Sequence, residues 1–407
     1  MQILVQKFGG TSVQSAENRK HVLKHIKDAL MKDYKLIVVV SALGRKPDPY
    51  ATDSLLGLVD FPANHSSKRE LDLLMSCGET IASVVLTNEL KRNHIRAIAL
   101  TGAQAGFITN NDFNQAKIKR VNPERIYHAF EEHDVVVVAG FQGQTEDGEI
   151  TTIGRGGSDT TAAALGAAVQ AESIEIFTDV NGIMTADPRV VESACPLDVV
   201  TYTEICNLAY QGAKVIHPRA VEIAMQAKIP MRVRSTYADE GGTLVTASRE
   251  SEFGVDITDR LITGIAHISS VTQIKVFKEG EHLFQSDVFK AMADAGISVD
   301  FINISPTGVI YTVPEAFTQK AVHILKTLGY DPEVTEKCAK VSAVGAGMTG
   351  VPGVASRIVR ALTSAGVRIL QSADSHTTIW VLVQEDDLKK AVNALHDAFE
   401  LGKINKL

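Results

Sequence analysis

The run Lys7-Phe8-Gly9-Gly10-Thr11-Ser12-Val13 follows a short apolar stretch, Ile3-Leu4-Val5, and precedes a polar stretch that includes Glu17, Arg19 and Lys20. Strand, Gly-Gly, Thr-Ser and helix in that order turn a helix N-terminus toward an anion. The paired glycines let the backbone approach a ligand closely and tolerate positive φ. Thr11 or Ser12 can cap the helix, and its free N–H groups and dipole favour a phosphate. Lys7 adds a full positive charge beside them. A tight turn with a surface lysine is the plain alternative, and it would win for Gly-Gly alone. The chain has no G-x-x-x-x-G-K-[ST] and no H-R-D with D-F-G, so a P-loop ATPase and a protein kinase are both poor fits.

A second anion cradle is Gly154-Arg155-Gly156-Gly157-Ser158-Asp159, ahead of an alanine-rich helix from Thr160. Arg155 offers a planar fork for a carboxylate or a phosphate, and Ser158 or Asp159 can cap. Read alone, a capped helix with a solvent-facing arginine is as good an account. Beside the Lys7 loop, two cradles suit phosphoryl transfer between two negatively charged partners. The segment Thr178-Asp179 to Asp187-Pro188-Arg189 reads as a loop after a strand; Asp179 suits a ribose hydroxyl and Arg189 a phosphate, unless both are ordinary turn charges. Ser76-Cys77-Gly78-Glu79 sits in an apolar helical region, where Glu79 is either a partnered buried carboxylate or a binder of an amine. Gly212-Ala213-Lys214-Val215-Ile216-His217-Pro218 places another lysine near a loop. His217, held in extended backbone by the following proline, reads as structural.

These residues need a scaffold. The chain has 407 residues and 45% apolar content, enough for two or three domains with full cores. Net charge is −7 with no basic stripe, which argues against nucleic acid. The longest apolar runs, Leu36 to Val40 and Val135 to Gly140, fall far short of the ~20 residues of a spanning helix. No secretory leader is expected, because Lys7 and the glycines interrupt the first apolar run. Four scattered cysteines, with no C-x-x-C, point to neither disulfides nor a zinc site but to a reducing cytoplasm. Cys77 reads as a small buried residue.

From residue 1 to about 245, apolar runs (36–40, 97–100, 135–139, 174–177, 231–233) alternate with helical stretches (67–91, 123–132, 158–169). This predicts a mostly parallel sheet with helices on both sides and a closing strand near 243–245. Ligands of such sheets sit beyond the strand C-termini, where the glycine motifs fall. A repeat follows: helices ending at Gly296 and Gly366, each preceded by a strand (273–277; 340–344). Two more strands follow each (299–304 and 309–312; 367–371 and 378–383), then a second helix (317–328; 387–399). These are two β-α-β-β-α-β-like units. Gly345-Ala-Gly347-Met-Thr-Gly350 matches a dinucleotide loop, but the short remaining chain cannot supply a doubly wound sheet.

Together, KFGGTSV, VVVSALG, SCGE, GRGGSDTTAAALGAA, FTDVNGIMTADPR and GAKVIHPRA, in this order along the whole chain, resemble the aspartokinases of the amino-acid kinase family. The resemblance implies an α/β amino-acid kinase fold (mostly parallel sheet, three-layer α/β/α) over residues 1–245 and a linker over 246–262. Two ferredoxin-like ACT units follow at 263–335 and 336–407, the first completed by the C-terminal segment. It implies ATP-dependent phosphorylation of the side-chain carboxylate of L-aspartate to 4-phospho-L-aspartate, the first step toward lysine, threonine, methionine and diaminopimelate. Mg2+ would come with ATP and no metal would be held by a protein ligand set.

Carried over residue by residue, Lys7 stabilises the transferring phosphoryl group and Asp159 organises Lys7. Thr52, Glu79, Arg155, Gly156, Gly157 and Ser158 bind aspartate, Glu79 through the amine and Arg155 through a carboxylate. Phe8, Gly9, Gly10, Ser41, Thr178, Asp179, Met184, Arg189, Lys214 and Val215 join Lys7 around ATP. Residues 43–53 are a candidate lid. Paired ACT units imply feedback by diaminopimelate, lysine or threonine and a homodimer through those units, with Ser286, Asp287, Asn303, Ser305, Gln371 and Asp374 as candidate effector contacts. The stretch Leu370 to His376 is closest to a diaminopimelate-responsive pattern. Removing residues from about 263 onward is then expected to abolish end-product inhibition. The competing readings are a sibling small-molecule kinase of the family and a non-catalytic amino-acid sensor.

Overall fold

The computed structural model describes residues 1–63, 65–213, 215–239, 241–247, 250–251, 254–255, 261–278, 284–348 and 350–403. By packing, the chain divides into two units: residues 1–183, 196–209 and 214–257, and residues 184–195, 210–213 and 258–407.

The first unit begins β1 (Ile3–Phe8), α1 (Gly10–Val13), α2 (Ala16–Leu30), β2 (Lys35–Val40), α3 (Thr52–Gly57), α4 (Lys68–Arg92) and β3 (Ala97–Leu100). A small excursion, β4 (Phe107–Thr109) and β5 (Ile118–Val121), leads to α5 (Glu124–Glu132) and β6 (Val135–Ala139). Then come β7 (Gln142–Gln144), β8 (Ile150–Thr152), α6 (Gly157–Val169), β9 (Ser173–Thr178), β10 (Val199–Thr201), α7 (Tyr202–Tyr210) and α8 (Pro218–Ala227). The unit closes with β11 (Met231–Ser235), β12 (Thr243–Thr246) and the short pair β13 (Glu250–Ser251) and β14 (Gly254–Val255).

The main sheet runs β10-β12-β11-β9-β1-β2-β6-β3. All its pairings are parallel except β11 with β12. The central β2 and β6 are Val-rich and almost wholly buried, as a strand covered on both faces must be. Alternation along β1 decides what each residue does. Leu4 and Phe8 join Leu36, Val38 and Val135 in a core closed by α2 and α4. Lys7 points the other way, to the face covered by α6, where Gly166 allows the helix to settle onto Ile174.

The second unit contains β15 (Gly264–Phe277), α9 (Phe284–Asp294), β16 (Asp300–Ser305), β17 (Gly308–Pro314), α10 (Thr318–Thr327) and β18 (Glu333–Val344). It continues with α11 (Val354–Ser364), β19 (Gln371–Asp374), β20 (Thr378–Gln384) and α12 (Leu388–Ala398). These strands form one antiparallel sheet ordered β16-β17-β15-β18-β20-β19. The predicted strand over 367–371 begins only at Gln371; residues 367–370 are the approach to it.

The two repeats interlock by strands. β15 and β18 are long and bend at irregular pairing near their middles. The first part of β15 (264–268) lies beside the last part of β18 (340–344), and the last part of β15 (273–275) beside the first part of β18 (333–335). Each repeat therefore receives its fourth strand from the other's long strand. The last helix does not return to the earlier repeat, as the resemblance implied. α12 buries Ala391, Val392 and Leu395 in one cluster with Ile358 and Leu362 of α11, while α9 and α10 close a separate cluster around Tyr311. An eleven-residue amphipathic helix buries its stripe against the nearest sheet half, and the neighbouring half is already covered.

Candidate active site

The parallel strands deliver their C-terminal ends to one cavity of about 240 Å3, lined by residues that include Lys7, Gly10, Ser41, Thr52, Glu79 and Asp159. Gly156, Gly157 and Ser158 line the same cavity, so both glycine motifs meet there. Lys7 Nζ sits 2.7 Å from Asp159 Oδ1, both side chains largely buried. The backbone N–H of His217 donates to Asp159 Oδ2 at 3.3 Å, leaving the carboxylate held from two sides.

The glycine loops are set by close approach. At Gly10, a Cβ would lie 2.4 Å from Ala42 O and 2.8 Å from Gly44 O, so only glycine lets the β1 and β2 loops touch; Gly44 N–H donates to Gly10 O at 3.0 Å. Gly156 has φ +65° and serves as N-cap of α6, with no side-chain cap. A Cβ there would lie 2.2 Å from the His217 ring. Ser158 and Asp159, expected as caps, lie instead within the first turn of α6, which frees the Asp159 carboxylate for Lys7. Ser41 Oγ donates to Ser158 Oγ at 2.9 Å, joining the β2 loop to α6. Likewise Thr11 and Ser12 do not cap α2: Ser15 does, accepting from Asn18 N–H at 3.1 Å. Ser12 is buried against Thr236, 2.7 Å away.

Glu79 is 3% exposed. Its Oε1 accepts from Ala42 N–H at 3.2 Å, and Oε2 has no hydrogen-bond partner among the described residues. Burial pushes its carboxyl up to about 8, only partly opposed by the backbone hydrogen bonds it accepts. Gly78, beside it on α4, lets Ala42 Cβ and Tyr50 O pack close; a Cβ there would lie 2.8 Å and 3.0 Å from them. The site thus holds a buried acid with one oxygen unspent, a state that an incoming cation would relieve.

Cys77, expected to be buried, is exposed on α4, where every third or fourth position of the helix faces outward, and some expected site residues fall elsewhere. The Phe8 side chain is fully buried and stacks on Phe177 at 4.6 Å, so only its backbone is available to a nucleotide. Arg155 is exposed at the mouth of the loop, outside the cavity lining, and forms no ion pair among the described residues. Thr178 Oγ1 donates to Asp179 Oδ1 at 3.1 Å, and Asp179 is exposed. Neither lines the cavity. Met184 and Arg189 belong to the second unit, where Arg189 forks onto the Asp187 carboxylate at 2.7–3.2 Å. Val215 is half-buried; Lys214 lies outside the described residues. In the second unit, Ser286 and Asp287 stand in the first turn of α9, Asn303 and Ser305 on β16, and Asp374 on β19. Gln371 is engaged between the repeats, accepting from Gln273 Nε2 at 2.8 Å and donating to Phe301 O at 2.6 Å.

Phe141 lines the cavity and was not anticipated. It holds φ +67° two positions after the end of β6, its N–H donating to Thr161 Oγ1 at 3.1 Å. Gly140-Phe141 at a strand end was the only signal. Among the described residues no cluster of three or more His, Cys, Asp or Glu could hold a metal ion, and no helix is long and apolar enough to cross a membrane.

The pattern that describes the amino acid kinase family matches residues 2–235, and that of the ACT domain matches residues 333–397. Aspartokinase 1 of Bacillus subtilis (strain 168) is 65% identical, over 99% of this chain and 100% of its own length. The aspartokinase of Geobacillus stearothermophilus is 40% identical, over 99% and 98%. Among solved structures, E. coli aspartokinase III in complex with aspartate and ADP superposes with a TM-score of 0.77 at 26% identity, covering 98% of this chain and 99% of that one. The same enzyme with lysine and aspartate, in its T-state, gives 0.74 at 26% identity, again over 98% and 99%. Both glycine motifs, the Lys7–Asp159 pair and the buried Glu79 therefore stand in a chain that belongs to the aspartokinases of the amino acid kinase family.

Proposed function

We infer that the chain transfers the γ-phosphoryl group of ATP to the side-chain carboxylate of L-aspartate, giving 4-phospho-L-aspartate and ADP. The observation that carries this reading is the shared cavity: a lysine–carboxylate pair at the end of β1, the N-terminus of α6, and a buried glutamate with a free oxygen. Glu79 takes the substrate ammonium, Arg155 reaches in from the rim for the α-carboxylate, and Thr52 and the Gly156–Ser158 amides complete the acceptor side. The aspartate side chain has an ordinary pKa of about 3.9, so the nucleophile is already ionised near neutral pH and no general base is needed.

Charge is the barrier, since an anion must approach an anion. Lys7 offsets it at the transferring group, and Asp159 keeps Lys7 Nζ aimed there. The α6 N-terminus adds fixed dipoles that need no rearrangement during transfer. The donor is Mg-ATP, with the ion carried on phosphate oxygens and not in a protein cage; when bound, it neutralises phosphate charge. Gly9, Gly10, Ser41, Thr178, Asp179, Met184, Arg189, Lys214 and Val215 are the proposed nucleotide side. The acyl phosphate product is labile to water, which suits closure of the 43–53 loop.

The interlocked repeats are the proposed regulatory part, binding a pathway amino acid (diaminopimelate, lysine or threonine) near Ser286, Asp287, Asn303, Ser305, Gln371 or Asp374, with a homodimer formed through them. A cytoplasmic location fits the four free cysteines. A panel of acceptors tests the assignment: aspartate, N-acetylglutamate, glutamate and uridine monophosphate, each with Mg-ATP. ADP release with aspartate alone is expected; turnover with another acceptor and none with aspartate overturns it.

A further inference from the structure

Asp72 lies on α4 seven positions before Glu79, on the same face of the helix and ~10.5 Å from it along the axis. It is 0% exposed, yet no cation pairs with it among the described residues. Every partner donates to it instead. Asn114 N–H reaches both carboxylate oxygens at 3.1 and 3.0 Å, and Asn114 Nδ2 reaches Oδ1 at 2.7 Å. Thr152 N–H donates to Oδ2 at 2.8 Å and Thr152 Oγ1 to Oδ1 at 2.5 Å. This is a carboxylate saturated by neutral donors, an acceptor-only group whose lone pairs are all used.

The donors are informative in their positions. Thr152 ends β8, and Ile153, Gly154 and Arg155 follow it directly. Asn114 holds a left-handed φ of +70°, which presents its N–H to the carboxylate, and its side chain also donates to Lys68 O at 3.1 Å. Gly154, at φ +78°, runs past Asn114, close enough that a Cβ would meet Asn114 O at 3.4 Å. One carboxylate on α4 therefore fixes both walls of the loop that carries Arg155. The same helix carries Glu79.

We propose that Asp72 is a positioning residue that sets the separation between the ammonium end and the carboxylate end of the aspartate clamp, by pinning the base of the Arg155 loop to the helix bearing Glu79. This rests on the aspartate-binding roles of Glu79 and Arg155 given above. Asp72 touches neither substrate. Its effect falls on how well one rigid arm meets a ligand held by the other, while the nucleotide side and the Lys7–Asp159 pair are anchored by other contacts.

The test is steady-state kinetics of Asp72→Asn, which keeps the shape but turns an acceptor into a donor facing donors. The Michaelis constant for aspartate is expected to rise ~10-fold, with that for ATP and kcat within about twofold, because only ground-state and transition-state binding of one substrate is weakened together. In an Arg155→Ala background the same substitution is expected to add less than about twofold, since the arm it positions is gone. An unchanged aspartate constant, or equal losses for ATP, aspartate and kcat, overturns the proposal. Should Asp72→Asn fail to fold, Thr152→Val removes only the hydroxyl donor. A rise of ~3-fold confined to aspartate supports the proposal, and no change or a uniform loss overturns it. Arg155→Ala alone separates the two levels: if it leaves the aspartate constant untouched, the binding assignment fails and this proposal with it. A large effect of Arg155→Ala with none from Asp72→Asn overturns only the positioning role.

Discussion

Glu79 shows how a site can be poised by what it lacks. A carboxyl buried to 3% exposure with one oxygen unpartnered is held near a pKa of about 8. The unfolded chain would ionise it near 4.3, so the folded state binds the extra proton between those values. Glu79 therefore costs no stability below about pH 4, and the cost grows as pH rises toward 8, by roughly 1.4 kcal/mol per pH unit. Glu79→Gln is expected to melt at a higher temperature than the parent at pH 8, with the difference shrinking toward pH 5; scans at both values check it. In the proposed ammonium-binding role of Glu79 the acid must be ionised to hold the substrate, so kcat/KM for aspartate is expected to rise with pH up to about 8 and then level. In Glu79→Gln that limb should vanish while KM for aspartate rises. A pH-independent profile in the parent contradicts the ammonium role. Lys7 and Gly10 could be read from the chain because strand, glycines and lysine are neighbours in sequence. The charge state of Glu79 could not, since it depends on the 42–50 loop folding over α4. Asp72 was also hidden: its donors lie 42 and 80 positions away.

Elements explain why the motif glycines are where they are. Gly156 combines a left-handed φ with a ring that fills the place of a Cβ, and that ring belongs to the residue whose N–H holds Asp159. Gly156→Ala therefore forces His217 away and loosens the partner of Lys7. Backbone strain of about 1 kcal/mol adds to the clash, and kcat is expected to fall by ~10-fold or more with a smaller loss of melting temperature. Retention of full kcat would show that the His217 contact does not hold the reacting pair. The alternation of strands and helices was legible because β2 and β6 are unbroken valine-rich runs. Helix caps were legible only in type. A cap is chosen by backbone geometry, and here Ser15 and Gly156 took positions that Ser12, Ser158 and Asp159 could equally have filled by composition. Strand alternation sends the Phe8 ring into the α2–α4 core and leaves its backbone alone facing the loop.

Each of the two units is assembled from segments that are not contiguous in the chain. Residues 184–195 follow β9 in sequence but pack within the C-terminal unit. Thr185 Oγ1 lies 3.0 Å from the buried His396 Nε2, Asn393 Nδ2 donates to Val190 O at 3.0 Å, and Cys195 Sγ donates to Leu401 O at 3.2 Å. Ala186 and Val191 are buried with Ile358 and Leu395. A chain ending at residue 262 would lose all of these partners and expose that apolar stretch, which also carries Met184 and Arg189. Such a truncation is expected to be poorly soluble or inactive, and not merely freed from end-product inhibition; expression and an activity assay check it, and a soluble, fully active fragment contradicts it. No local pattern in residues 184–195 signals this, because their partners lie some 200 positions away. The interlock of β15 with β18 was hidden for the same reason, whereas the repeat itself could be read from its two helix-ending glycines.

Within the one cavity, the proposed role of Lys7 is to carry phosphoryl transfer onto the aspartate side chain. Trapping the product with hydroxylamine tests it most directly, since acyl phosphates yield hydroxamates. The parent protein should form aspartyl hydroxamate in step with ADP from Mg-ATP and aspartate, and Lys7→Ala should form it ~10²-fold more slowly or worse. ADP release that ignores aspartate, or a Lys7→Ala variant as fast as the parent, would contradict it.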